Sequence, residues 1–404
     1  MMKNIKIIKS QLYYLALVCI LLGNLCFYDM ESMNIYIIMC GGGIGITFLV
    51  KLISEGRHFR FGKGFLWLTA VYGMYMIYGF WFIRTGEYNW DSILFHYLGG
   101  VAIYYILSDF AMKENWHCKV ANICMLVVII TAAYIVFTDS EALINNFMYG
   151  ESTRIGDALS GNVNTVGVCL GILTLFVMYE YCITRQKKYM LTFFISTIFM
   201  LLTGSKKALI VLMFVFIIYF SFEKKQVNKW IKVLFIAIVG IYVVFFVEPI
   251  YEVIGSRVLS MIDIMFLNNR LGMFSNSTQS RISMIEEGFA IMWNYPIFGG
   301  GYNYYRSMNA TGYYSHCNYI EIICSYGLVG TILYYGTYVR NLFRISRNRK
   351  YKPEKAKFAI ILLIVALILD WTMVGYLSLC ILYIPIIFSF VVIESMKKEQ
   401  KNGK

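Results

Sequence analysis

Charge is what this sequence has least of. Asp, Glu, Lys and Arg make up only 15% of the 404 residues, against 59% hydrophobic residues and a mean hydropathy of +0.63. A soluble domain carries about 25% charged residues, so this balance excludes a soluble enzyme or a free binding module. Prolines number four, and only Pro385 falls well inside an apolar run. The matched broken spans that mark many transporters are therefore missing, and as a deep charge Asp370 stands nearly alone. The ten cysteines have no metal-ligand spacing; most, including Cys19, Cys40, Cys124, Cys169, Cys324 and Cys380, sit in apolar runs and read as packing residues. The first apolar run, after Lys3, Lys6 and Lys9, has no small-residue cleavage site and is expected to stay as a span.

What is present is a succession of apolar runs long enough to cross a bilayer as helices. The expected fold is an all-α polytopic membrane protein, a single domain over residues 1–404. About twelve transmembrane helices are expected near 11–28, 33–52, 64–83, 92–111, 119–138, 162–183, 189–204, 206–222, 230–248, 316–339, 357–375 and 376–395. With a cytoplasmic N-terminus, all but eight of the 36 Lys and Arg fall on the inner side, as the positive-inside rule requires. Both termini are then cytoplasmic. The net charge of +13 is thereby explained by topology, and no nucleic-acid partner is expected.

The eight outer basic residues are Arg84, Arg154, Lys206, Lys207, Arg257, Arg270, Arg281 and Arg306. Two outer loops are long, 139–161 and 249–315, and loops of that size are usually functional. In the larger one, between spans 9 and 10, Ile250, Val253, Ile254, Val258, Met261, Ile262 and Met265 recur at helical spacing, which predicts a helix on the membrane surface. A second predicted helix follows a Ser280 N-cap, with Ile282, Ile285, Phe289, Met292 and Trp293 on its apolar stripe and Arg281 and Glu287 off it. Pro296 ends it, and Gly299, Gly300 and Gly301 permit tight turns or close approach by a ligand.

Five positions carry candidate chemistry, each with a plainer alternative. Thr203-Gly204-Ser205-Lys206-Lys207 breaks two apolar runs; with Ser205 as cap, backbone N–H groups and two ammonium groups meet at a positive helix end, a ready phosphate site. The lysines can equally reach lipid headgroups. Arg281 suits bidentate phosphate contact or pairs with Glu286 or Glu287. His316, at the outer end of a span, can act as a general base or bond to interfacial water. Glu321 lies about 140° round the helix from it and is a poor direct partner, whereas His96 reads as a buried polar contact. Arg154, ahead of a helix capped by Asn162 or Asn164, can hold a second anion or pair with Glu151 or Asp157. Arg306 among Tyr302, Tyr304 and Tyr305 suits stacking on sugar rings, or is an ordinary interfacial aromatic group.

Four ordered pieces, RIGDALSGNVNTVG, TGSKKAL, SRISMIEEGFAIMWNYPIFGGGYNYY and HCNYIEIICSYGLVG, together resemble the superfamily of O-antigen polymerases and O-antigen ligases, bacterial membrane glycosyltransferases. The resemblance covers about residues 150–335. It implies a GT-C-like fold in the bacterial cytoplasmic membrane, and an undecaprenyl-pyrophosphate-linked oligosaccharide as substrate alongside the lipid bilayer. A flippase and a chain-length regulator are implied as partners. Carried over residue by residue, Lys206 and Arg281 bind the pyrophosphate, with Lys207 and Arg154 as further cations, and His316 activates the acceptor hydroxyl. Two departures stand out: lysine at 206 where arginine is usual, and Cys317 where asparagine is usual, with Asn318 one residue later. The outer side has no clustered Asp-x-Asp, so neither a metal nor another cofactor is expected. Scarce proline with abundant lysine, isoleucine and tyrosine points to an AT-rich genome and favours a polymerase over a ligase. A lipid-linked glycan flippase is the alternative from another class.

Overall fold

The computed structural model describes residues 2–28, 32–55, 61–81, 90–113, 115–149, 162–222, 276–376 and 380–402, with a few positions within 153–159 and 251–259. Its helices are α1 (Met2–Cys26), α2 (Met33–Glu55), α3 (Lys63–Trp81), α4 (Trp90–Ala111), α5 (Trp116–Thr138), α6 (Ser140–Tyr149) and α7 (Val163–Thr184). They continue with α8 (Lys187–Leu202), α9 (Lys206–Phe222), α10 (Asn276–Met292), α11 (Tyr304–Met308), α12 (Asn318–Asn348), α13 (Pro353–Thr372) and α14 (Ile384–Asn402). There is no strand among the described residues, as expected where backbone groups must be satisfied within each segment.

Among the described residues, seven stretches are long and apolar enough to cross a membrane: Ile7–Cys26, Met33–Glu55, Ile93–Ala111, Trp116–Thr138, Val163–Thr184, Asn318–Tyr351 and Cys380–Lys401. The helices α3, α8, α9 and α13 lie at four more of the twelve expected positions without meeting both criteria, α8 and α9 having only 16 and 17 residues. The remaining expected span, 230–248, lies outside the described residues, as does nearly all of the expected surface helix at 250–266. All ten cysteines are free and eight of them are buried.

The chain divides into two compact units. One comprises Met1–Tyr13, Ile44–Glu114 and Asn276–Lys404, the other Tyr14–Gly43 and Asn115–Ser275. In the second unit α7 is buried along most of its length and packs against α5, α8 and α9. Glycines make that closeness possible, as small residues do between membrane helices. A Cβ on Gly167 would stand 2.7 Å from the Thr203 hydroxyl, and one on Gly171 2.7 Å from Val211. In the first unit α12 packs against α10, α11, α13 and α14. Its core is rich in tyrosine: Tyr72, Tyr75, Tyr326, Tyr338 and Tyr383 are buried, the Tyr72 ring meeting Tyr75 and Tyr383, the Tyr75 ring meeting Tyr326, and Tyr338 packing on Tyr334.

Candidate functional site

In the second unit the polar break between α8 and α9 is built as its residues dictate. Gly204 takes φ +58°, the Ser205 hydroxyl accepts from the Ala208 N–H at 3.4 Å, and the Thr203 hydroxyl donates to the Met200 carbonyl at 2.7 Å. Lys206 and Lys207 are thus the first two residues of α9, Lys207 being buried, and cations at a helix N-terminus are unfavourable without an anion. Asn162 caps α7, accepting from the Asn164 N–H at 3.0 Å. Arg154 joins these two motifs: its Nε donates to the Thr203 carbonyl at 3.0 Å and its Nη2 to Asn164 Oδ1 at 2.8 Å. Alongside it the Ile155 N–H reaches the Leu202 carbonyl at 3.3 Å, so a cation satisfies the end of α8, where the dipole favours one. Glu151 and Asp157 lie outside the described residues. Hydrogen bonds to a charged group contribute about 1.5–3 kcal/mol, so Arg154→Ala is expected to lower stability by about that much. Lysine, lacking the planar fork, should recover less than half of the loss. Thermal unfolding in detergent checks this, and a shift indistinguishable from wild type for Arg154→Ala would refute it.

In the first unit α12 is broken at Gly327 (φ 61°, ψ −163°), where an uninterrupted span was expected. In a continuous helix the Leu328 and Val329 N–H groups would bond to the Cys324 and Ser325 carbonyls. Here all four groups turn to the Pro-Ile-Phe-Gly-Gly-Gly segment instead. The Cys324 and Ser325 carbonyls accept from the Gly300 and Gly301 N–H groups at 2.9 and 3.0 Å, and Leu328 and Val329 donate to the Pro296 and Ile297 carbonyls at 2.9 and 3.1 Å. The backbones meet so closely that a Cβ on Gly327 would lie 2.4 Å from the Gly299 nitrogen, and one on Gly299 2.4 Å from the Ser325 carbonyl. The glycines expected to allow close approach do so for the protein's own helix.

The same pairing sets α10 beside the opening of α12. Gly288 faces Ile320, the Cys324 thiol donates to the Gly288 carbonyl, and the Tyr305 hydroxyl donates to the Met284 carbonyl at 2.9 Å. Met284, Ile291, Tyr304, Tyr305, Cys317 and Ile320 form one buried cluster. With Gly288 level with Ile320 and Pro296 level with Leu328, the two segments run in the same direction, which puts Arg281 at the end of the pair where His316 enters. The helix starts by Asn276, so Ser280 is not its cap and Arg281 is not in its first turn. The polar Asn276-Ser277-Thr278 run extends the helix earlier, and the Ser280 carbonyl accepts from the Ser283 hydroxyl within it. Arg281 is half-buried and makes no ion pair with Glu286 or Glu287 among the described residues. Glu287 accepts instead from the Ala310 N–H at 2.9 Å.

His316 lies in the turn before α12 with φ +58°, a conformation that costs an L-residue about 1–2 kcal/mol. Its ring lies on Tyr314, centroids 4.3 Å apart, and the exposed Arg306 guanidinium sits 6.0 Å over that same tyrosine. The Ser315 N–H donates to Glu321 Oε1 at 2.6 Å, so Glu321 bonds to the turn and not to the imidazole. Asn318, fully buried, uses every hydrogen-bonding position it has. Its Nδ2 donates to Tyr335 and to Asp370, each at 3.0 Å, and its Oδ1 accepts from the Gly375 and Tyr376 N–H groups at 3.0 and 3.1 Å. The asparagine displaced by one residue therefore ties α12 to α13 and has nothing left with which to orient His316. Asp370 is engaged here, by Asn318 and by the Tyr335 hydroxyl at 3.0 Å.

Tyr304 and Tyr305 are 1% and 0% exposed. Tyr304 accepts from Asn294 at 3.3 Å and meets the edge of Tyr295, and Tyr305 packs under α10. Neither ring presents a face on which a sugar could stack, because both fill the space between α10 and α12; burial pushes the Tyr305 phenol well above its ordinary range. Tyr314, partly exposed between Arg306 and His316, is the aromatic residue beside the candidate chemistry. Sequence reasoning passed over it, although it stands two residues before the histidine. His96 is buried within α4, as expected. In the first unit ring contacts join Arg306, Tyr314 and His316, with Arg281 toward the same end of the α10–α12 pair, and in the second Arg154 adjoins the break that carries Lys206 and Lys207.

Residues 191–335 match a protein-family model described as O-antigen ligase. The matched range runs from α8 to α12 and contains Lys206, Lys207, Arg281, Arg306 and His316, while Arg154 precedes it. No curated protein matches the chain.

Proposed function

We propose that the chain, whose residues 191–335 match the O-antigen ligase family model, is a membrane glycosyltransferase of the superfamily of O-antigen ligases and polymerases. It polymerises oligosaccharide repeat units carried on undecaprenyl pyrophosphate, on the outer face of a bacterial cytoplasmic membrane. The observation that carries this reading is the first-unit arrangement: a histidine held in a positive-φ turn, at the same end of a helix pair as an arginine that has no acidic partner among the described residues.

In the reaction the anomeric carbon–oxygen bond to pyrophosphate breaks and a bond to an acceptor sugar hydroxyl forms. His316 takes the hydroxyl proton, a role worth about 10²–10⁴-fold. Arg281 takes up charge developing on the departing undecaprenyl pyrophosphate, a role worth about 3–4 kcal/mol for one well-placed donor. Lys206, Lys207 and Arg154, which belong to the other unit, are assigned to a lipid pyrophosphate on the family resemblance alone, and Arg306 to the glycan beside Tyr314. No step calls for a divalent metal.

The test is purified protein in detergent with lipid-pyrophosphate-linked repeat units, in excess chelator, read as polymer length on a gel. A ladder is expected. Transfer only to an added non-repeat acceptor would make the protein a ligase, and movement of the lipid across vesicles without transfer would make it a transporter. Activity lost in chelator and restored by Mg²⁺ would overturn metal independence.

A further inference from the structure

The left-handed backbone at His316 persists only if its surroundings hold it, since isolated non-glycine residues leave that region. The residues on either side are both fastened. The Ser315 hydroxyl donates to the Cys317 carbonyl at 2.8 Å and accepts from the Cys317 N–H at 3.2 Å, bracketing the histidine. The bracket is anchored in turn by Glu321, whose Oε1 accepts from the Ser315 N–H at 2.6 Å. Both anchoring residues are withdrawn from solvent, Ser315 at 0% and Glu321 at 2% exposure.

This is a capping box displaced by one position within the helix and by two positions before it. Cys317 is the N-cap of α12 and makes no side-chain cap bond. In the ordinary box the third helical residue reaches back to the N-cap N–H. Here Glu321, the fourth, reaches past the cap to the residue two before it, where an anion also suits the helix N-terminus. Burying a carboxyl is costly unless it is bonded, and the bond this one makes is to the backbone of the His316 turn. Asn318, the other polar residue at the helix start, is fully committed elsewhere.

We propose that Glu321 is the positioning residue for His316. By accepting the Ser315 N–H it fixes the 314–317 turn and so sets the imidazole against Tyr314 and toward the acceptor hydroxyl, without itself touching the reacting atoms. The functional part of this inference rests on the glycosyltransferase reading; the structural part does not.

The experiment compares wild type with Glu321→Gln, whose side-chain oxygen still accepts the bond, and with Glu321→Ala, in two readouts. One is initial transfer rate. The other is the rate at which diethyl pyrocarbonate modifies His316 in the folded protein, followed by peptide mass spectrometry with His96 and His117 as internal references. Misplacing a reacting group by about 1 Å costs on the order of 10²-fold, so Glu321→Ala is expected to lose about that much kcat with KM for the lipid donor little changed, and to shift the His316 modification rate severalfold. Glu321→Gln should stay near wild type in both. Should the alanine variant not fold, Glu321→Asp, which withdraws the carboxylate by one methylene, is expected to behave as alanine does. Wild-type behaviour of the alanine or aspartate variant would overturn the proposal. So would a glutamine variant as inactive as alanine with His316 modified normally, because the carboxylate would then be doing chemistry itself. If the wild-type protein transfers no glycan, the glycosyltransferase reading fails while the modification rates still decide whether Glu321 holds the turn.

Discussion

Gly327→Ala is expected to destabilise the protein by about 4 kcal/mol or more, a loss reserved for a few specific mechanisms. Two of them coincide at this residue. Its φ and ψ of 61° and −163° belong to a region almost confined to glycine, costing an L-residue about 1–3 kcal/mol. The added methyl would also stand 2.4 Å from the Gly299 nitrogen and the Ile297 carbonyl oxygen, backbone atoms that cannot rotate away. Separating the two segments forfeits the four hydrogen bonds that replace the helix's own, each contributing about 1 kcal/mol. Gly299→Ala, at φ +74° against the Ser325 carbonyl, should do similar damage. Because both substitutions break the same bonds, the double variant should lose clearly less than the sum of the singles. Denaturation in detergent measures all three. Single losses under about 1 kcal/mol, the ordinary size for a point substitution, would mean that the exchanged backbone pairing does not hold α10 and α12 together.

His316→Ala and Arg281→Ala are expected to lose the most activity, and to lose it differently. Removing the base should lower kcat by about 10²–10⁴-fold with KM for the lipid donor nearly unchanged. Removing the guanidinium should lower kcat and raise the donor's KM, because the pyrophosphate is charged before as well as during the reaction. The combined loss in kcat/KM should be about 3–4 kcal/mol. Arg281→Lys, keeping charge without the bidentate fork, should fall between. Initial rates over a range of donor concentrations separate the two patterns. An unchanged kcat in His316→Ala would remove the histidine from the chemistry.

The helices were readable because apolar runs of this length have few other options in a bilayer, and the caps at Asn162 and Ser205 because short polar side chains before an apolar run compete for free N–H groups. Where several such residues stand in a row, as from Asn276 to Ser280, composition cannot say which one starts the helix. The four motif pieces were visible one by one, but their pairing was not. Arg154 finds its partners at Asn164 and Thr203, and Gly299 meets Gly327 across 28 residues of sequence; local periodicity carries neither contact. The break at Gly327 falls inside the span expected over 316–339, because nothing beside that glycine announces that the neighbouring N–H groups bond elsewhere. Tyr304 and Tyr305 looked like a sugar platform since an aromatic cluster reads the same buried or exposed. Only the packing of α10 against α12 separates them from Tyr314.

The most direct test of the central claim is a single-turnover experiment with purified protein, a lipid-pyrophosphate-linked repeat unit and a matching acceptor. It follows the release of free undecaprenyl pyrophosphate together with glycosylation of the acceptor. The two products are expected in equal amounts from wild type, and both are expected to be nearly abolished in His316→Ala, with donor still bound. Equal product formation by His316→Ala and wild type, or donor that binds wild type without losing its glycan, would contradict the central claim.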